Sequence, residues 1–217
     1  TKIKCIPSRD HTERFFNHIK VPIKKTREKE FDIIKNEGAY FKKLHDFELF
    51  TCLILKYFYN KGETDISQCQ ASICDGAKDG GIDFLMVDPD DELSLLIGQS
   101  KLISKISNAG DVVNYFKKMS STIENLKKGK FSFYSNSLQK KYLNCWDDLG
   151  ISETDKNPHI KLVIFLGCEL SDKQKTTINK FLKDEEELSG FDCDYYDSND
   201  IIHRIEDINE EAPWVEY

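Results

Sequence analysis

Residues 82–101 constrain this chain more than any other stretch, because two apolar runs lie close together with turn chemistry between them. Ile82 to Val87 is an apolar and β-branched run broken only by Asp83, Asp88-Pro89-Asp90-Asp91-Glu92 supplies turn residues, and Leu93 to Ile97 is a second apolar run. A hairpin centred near Asp91 sets Asp83 opposite Gln99, with Cβ atoms roughly 5 Å apart. Side chains two residues apart leave a strand on the same face, so Lys101 joins Gln99. A carboxylate, an amide oxygen and an ammonium are therefore expected at one end of a single hairpin, before any tertiary contact is considered.

Helical periodicity adds a second carboxylate. Within Phe41 to Asn60, Leu44, Phe47, Phe50, Ile54, Leu55 and Phe58 form one broad stripe at roughly 100° per residue. Glu48 falls beside that stripe, roughly 20° from Leu55, so its carboxylate points to the core margin. A boundary Glu that snorkels to solvent is an equal alternative.

The remaining elements follow from the same patterns. Gln68 to Cys74 reads as a strand. From Asp111 the apolar residues Val112, Phe116, Met119, Ile123 and Leu126 step by four and three, as in an amphipathic helix. A further helical stretch lies near Leu138 to Leu149, and Ile160 to Leu166 is a buried strand. Ser171-Asp172-Lys173-Gln174 is a capping box opening a helix that runs toward Gly190. Phe191 to Tyr196 reads as a strand and Asn199 to Ile205 as a short helix. At its centre the order is αβββαβ.

The combination of Asp79-Gly80-Gly81-Ile82-Asp83 with Gln99-Ser100-Lys101, preceded by the acidic helix residue in Phe47-Glu48-Leu49-Phe50, resembles the PD-(D/E)xK nuclease superfamily. The likeness is to the branch whose second motif reads Q-x-K, as in Mrr-like restriction endonucleases and the abortive-infection AIPR proteins. It covers about Phe41 to Lys101 well and the rest loosely. The resemblance implies an α/β, restriction-endonuclease-like core, a mixed central sheet flanked by helices, extended here by further C-terminal α/β elements. It also implies hydrolysis of phosphodiester bonds, of DNA, in bacterial restriction or phage defence. The catalytic set would be Glu48, Asp83, Gln99 and Lys101. Mg²⁺ or Mn²⁺ would be held by Glu48, Asp83, the Gln99 side-chain oxygen and the Ser100 backbone carbonyl.

Taken singly, each residue has a plainer reading. Gly-Gly before a strand marks a turn, Asp83 can be a strand-end Asp in a hydrogen-bonded turn, and Gln99 and Lys101 can be solvated residues where a strand frays. A calcium loop built on Asp75, Asp79 and Asp83 is excluded, since Ala77 occupies a ligand position and Met86 stands where the bidentate Glu belongs. The seven cysteines are scattered without a C-x-x-C pair and read as reduced thiols. A zinc site from Cys69 and Cys74 has little support in its spacing.

A net charge of −7 looks unsuited to nucleic acid until it is divided along the chain. Thr1 to His45 carries +6, Asp46 to Ser100 carries −8, Lys101 to Lys141 carries +7, and Lys183 to Tyr217 carries −11. Basic segments flanking an acidic, metal-binding one suit a phosphodiesterase, because phosphate contacts supply much of the affinity. Lys105, Lys117, Lys118, Lys127 and Lys128 are the candidate nucleic-acid contacts, against the common alternative that they solvate a helix. Residues 1–40 read as a basic extension and residues 41–217 as one nuclease-like domain.

Mean hydropathy is −0.53, and no apolar run approaches the roughly 20 residues of a membrane span. The expected setting is the cytoplasm, without a membrane partner and with a homodimer left open. Opening at Thr1 without Met, the chain reads as the N-terminal part of something longer. Two other functions stay in view: a nuclease-fold module that binds nucleic acid or protein without cleaving, which the neutral Gln99 favours, and an interaction domain using the acidic C-terminal part.

Overall fold

The hairpin forms as its alternation requires. In the computed structural model, which describes residues 51, 54–59, 72–74, 76–103, 105–150, 158–201, 203 and 204, β1 (Phe84–Asp88) pairs antiparallel with β2 (Asp91–Lys101). The pairs run from Phe84↔Gly98 to Val87↔Leu95, each symmetrical about position 91 as expected. The register then shifts between Val87 and Asp88, and Asp88 pairs Asp91 across a turn at Pro89-Asp90 that is tighter than the five-residue turn expected. Two carboxylates stabilise it locally: Asp88 accepts the Asp90 amide and binds Lys161 Nζ at 2.6 Å, and Asp91 accepts the Leu93 amide and the Ser94 hydroxyl.

β2 is longer than its apolar run. It continues through Gln99, Ser100 and Lys101 because β3 (His159–Leu166) runs parallel beside it, from Ser94↔His159 to Lys101↔Leu166. β4 (Asp192–Tyr196) adds in parallel to β3, giving a four-stranded mixed sheet in the order β1-β2-β3-β4. Of the strand expected over 68–74, the described part is one antiparallel bridge, Ile73↔Phe84, held by Cys74 N–H to the Asp83 carbonyl and Leu85 N–H to the Ser72 carbonyl.

Helices cover both faces. On one face α1 (Ala109–Lys127), with α2 (Asn136–Asp148) and α3 (Asp172–Asp184) beside it, meets the strands. Val112, Phe116, Met119, Ile123 and Leu126 of α1 share one core with Leu85, Leu95, Ile97, Leu162, Ile164 and Leu166. Asn108 caps α1 by accepting the Gly110 amide, Ser135 caps α2, and Ser171 with Gln174 forms the expected capping box on α3. The opposite face is aromatic. Phe84 and Phe165 pack against Phe58 and Tyr59 of the π-helical turn Leu55–Tyr59, and Tyr196 stacks on Phe165. This mixed sheet between helices is a restriction-endonuclease-like core.

Asp79-Gly80-Gly81 is a turn docked on α1. Asp79 accepts the Gly81 amide at 2.6 Å through its side chain, and Thr122 donates its hydroxyl to the Gly80 carbonyl at 2.7 Å. Gly80 has φ +66, and a Cβ there would stand 2.5 Å from the Thr122 side chain. Gly80→Ala is expected to destabilise by about 2–5 kcal/mol, combining a left-handed backbone with overpacking. Denaturant unfolding checks it, and a midpoint unchanged from the parent would show that the turn relaxes freely.

Candidate active site at the end of the hairpin

Of the hairpin carboxylates, Asp79, Asp88 and Asp91 are taken up by turns and Lys161. Asp83 is different. It sits just before β1, only 6% exposed, and its carboxylate Oδ2 accepts the Ser100 amide at 2.7 Å. That amide belongs to the peptide joining Gln99 to Ser100, so the Asp83 carboxylate lies directly against Gln99-Ser100-Lys101. The contact differs locally from the Asp83–Gln99 cross-strand pair expected. The ladder stops at Phe84↔Gly98, and the Asp83 amide donates to the Gly98 carbonyl at 2.9 Å, one residue short of Gln99.

Gln99, 3% exposed, is on the α1 face of β2, following the alternation Leu95, Ile97, Gln99, Lys101. Its Oε1 is buried without a hydrogen-bond partner among the described residues. An amide oxygen stranded in this way costs about 1–3 kcal/mol, which gives it a reason to be examined as a ligand. Ser100 has its side chain on the other, aromatic face, where its Oγ is likewise buried without a described partner. The Ser100 amide points to Asp83, and the carbonyl of the same residue leaves a strand on the same side.

Lys101 is half-buried, neither solvated nor frayed. Its carbonyl accepts the Ile103 and Gly167 amides, both at 2.9 Å, which pins the end of β2 to the end of β3. Its Nζ lies 5.1 Å above the centre of the Tyr115 ring on α1. Tyr115 was no part of the sequence-derived set, although Val112, Tyr115, Phe116 and Met119 fit the i, i+3, i+4, i+7 pattern of a buried helix face. Burial, with Asp111 nearby, holds the Tyr115 phenol above its usual range, so it is neutral near pH 7. Thr122, which seats the glycine turn, was also invisible in the sequence, where a Thr in a helix has no distinguishing signal.

Glu48 lies outside the described residues. The proposed nucleic-acid lysines divide. Lys117 forms ion pairs with Glu185 and Glu187 at 3.2 and 3.4 Å, and Lys127 pairs with Glu124 at 3.0 Å. Lys105, Lys118 and Lys128 are exposed. Lys118 also runs its stem across Gly81, where an added Cβ would meet its Cδ at 2.8 Å. Cys69 is outside the described residues, whereas Cys74 is fully buried and burial pushes its thiol up to about 12, leaving it neutral.

The oxygen donors fit a hard cation. A carboxylate oxygen, an unpartnered amide oxygen and a backbone carbonyl are the ligand types that Mg²⁺ and similar ions take. Among the described residues, no group of three or more His, Cys, Asp or Glu side chains is placed to hold a metal, so a thiolate or imidazole site has no support there. Nor is any described helix long and apolar enough to cross a membrane.

No curated protein and no solved structure matches this sequence. The HamA family model matches residues 48–207, a span that takes in Glu48, Asp83, Gln99 and Lys101 and everything from the hairpin to β4. This chain thus belongs to the HamA family, a restriction-like, phage-defence-associated domain.

Proposed function

We propose that this chain is a divalent-metal-dependent nuclease that hydrolyses phosphodiester bonds of DNA in restriction or phage defence. The observation that carries the reading is the buried Asp83 carboxylate against the Gln99–Ser100 peptide, with the unpartnered Gln99 Oε1 and the Lys101 ammonium on the next two outward positions of one strand face. Membership of the HamA family supports a nuclease-like or defence-related role. The narrower Mrr-like or AIPR placement belongs to the proposal and rests on the Q-x-K motif.

Asp83, Gln99 Oε1 and the Ser100 carbonyl are the residues to hold Mg²⁺ or Mn²⁺, with Glu48 as the additional carboxylate. Such an ion, when bound, polarises a phosphodiester oxygen and makes a bound water more acidic. The chain's own contribution is electrostatic and positional. Lys101 stabilises the charge that accumulates on the phosphate oxygens and orients the attacking water. Asp83, fixed by the Ser100 amide, keeps its negative charge in one place as the hairpin end meets substrate. Lys105, Lys118 and Lys128 supply phosphate contacts along the backbone of the nucleic acid.

Incubating the purified chain with plasmid DNA, with Mg²⁺ and with chelator, tests the function. Metal-dependent nicking that disappears in Lys101→Ala supports it; intact plasmid under all conditions favours the second reading. That reading is a nuclease-fold module that binds without cleaving, and one feature favours it: Gln99 replaces a carboxylate, so the site has less negative charge for a hard cation.

Gln99→Glu distinguishes the two. Without metal the mutant places a carboxylate where the amide oxygen has no described partner, so it should be less stable than the parent. Mg²⁺ should bind more tightly and raise its melting temperature more than that of the parent, because binding to the folded state alone is stabilising. Calorimetric titration that gives equal affinity for both proteins would put Gln99 outside the metal's ligands.

A further inference from the structure

We propose that Tyr115 is a positioning residue for Lys101: its ring holds the ammonium in place with the charge unneutralised and directed to the phosphate. This inference rests on the nuclease reading of the same site. A lysine two residues from a partly buried carboxylate site can collapse into an ion pair, which would hold the cation away from substrate. Among the described residues Lys101 forms no ion pair: Asp83 Oδ2 accepts the Ser100 amide at 2.7 Å, and Lys101 Nζ is drawn over the Tyr115 ring at 5.1 Å.

An aromatic face attracts a cation through its quadrupole without cancelling the charge or occupying all its N–H donors. The ammonium therefore keeps hydrogen-bonding capacity for an anionic oxygen. Position is fixed at both ends of the contact. Tyr115 projects from the rigid α1, next to the fully buried Phe116, and Lys101 leaves the last residue of β2, which is hydrogen-bonded to Gly167. The ring, rather than its hydroxyl, is what the contact needs.

Tyr115→Leu and Tyr115→Phe separate ring from hydroxyl, and both are to be checked for a parent-like circular dichroism spectrum and melting curve. In Tyr115→Leu, kcat for Mg²⁺-dependent plasmid nicking is expected to fall roughly 5- to 30-fold, the range a desolvated cation–π contact corresponds to, with KM for DNA changed by less than about twofold. Tyr115→Phe should restore parent kcat. Independently of activity, the Lys101 ε-methylene proton resonances, assigned by their loss in Lys101→Ala, should be shifted upfield by the ring in the parent and in Tyr115→Phe and return to ordinary positions in Tyr115→Leu. Parent-like kcat in Tyr115→Leu, equal damage in Tyr115→Phe, or unshifted Lys101 resonances in the parent each overturns the proposal while leaving the nuclease reading intact. A parent protein that cuts no DNA removes the nuclease reading and the positioning role with it, and a ring shift seen in that case reports packing only.

Discussion

Lys101→Ala is expected to lower DNA cleavage by about 100-fold or more while leaving the fold intact. Removing a group that stabilises developing charge has an effect of this size. The stability effect should be modest, because the side chain is half-buried, its contribution to the sheet is through its backbone, and what is lost is one cation–π contact of about 1–2 kcal/mol. The two readouts to compare are a plasmid-nicking time course and denaturant unfolding. Full activity in a folded mutant would rule out the proposed chemistry at this end of the hairpin.

Asp83 is expected to show the same loss of cleavage with a second consequence. From the hairpin alone Asp83→Ala looks harmless to folding, since the residue lies outside the apolar centre. Its carboxylate, however, satisfies the buried Ser100 amide, and leaving that donor unpaired costs about 1–3 kcal/mol. Asp83→Ala should therefore be both inactive and less stable. Asp83→Asn separates the two effects, because its amide oxygen can still accept the Ser100 N–H but brings no negative charge to a cation. It should fold with near-parent stability, bind Mg²⁺ weakly and cleave at least about 100-fold more slowly. Should Asp83→Asn bind Mg²⁺ in calorimetry as the parent does, Asp83 would be a structural cap on the Q-x-K strand and no more.

The lysines illustrate how tertiary contacts reassign charge. By composition, Lys101 to Lys141 is a basic segment suited to phosphate. In the folded chain Lys117 faces Glu185 and Glu187 of the α3–β4 connection, so part of the positive charge is already neutralised by the acidic C-terminal third. A sequence lists charges in order, and only packing α1 beside α3 tells which ones meet. Exposed pairs of this kind contribute little stability and are screened by salt.

Local periodicity was sufficient for much of the molecule. Strands alternate every second residue and helices repeat every 3.6, so the hairpin's register about position 91, the buried stripe of α1 from Val112 to Leu126, the β3 run and the Ser171 capping box were all legible from neighbouring residues. The placing of Asp83 against the Gln99–Ser100 peptide was legible for the same reason, since a hairpin brings its own ends together. What local pattern could not decide depended on residues far away in sequence. The extension of β2 through Lys101 follows from its parallel pairing with β3, some 65 residues on, because a strand end that looks frayed in the hairpin alone is held once the β3 ladder forms. Asp83 is held from two sides, its carbonyl by the Cys74 amide and its carboxylate by the Ser100 amide. Thr122 beneath Gly80 and Tyr115 beneath Lys101 come from the packing of α1 on the sheet, a choice of face and rotation made by the whole core. The chain's own order thus determined which groups could form a site, and the packing of distant elements decided which of them are buried, paired and held in place.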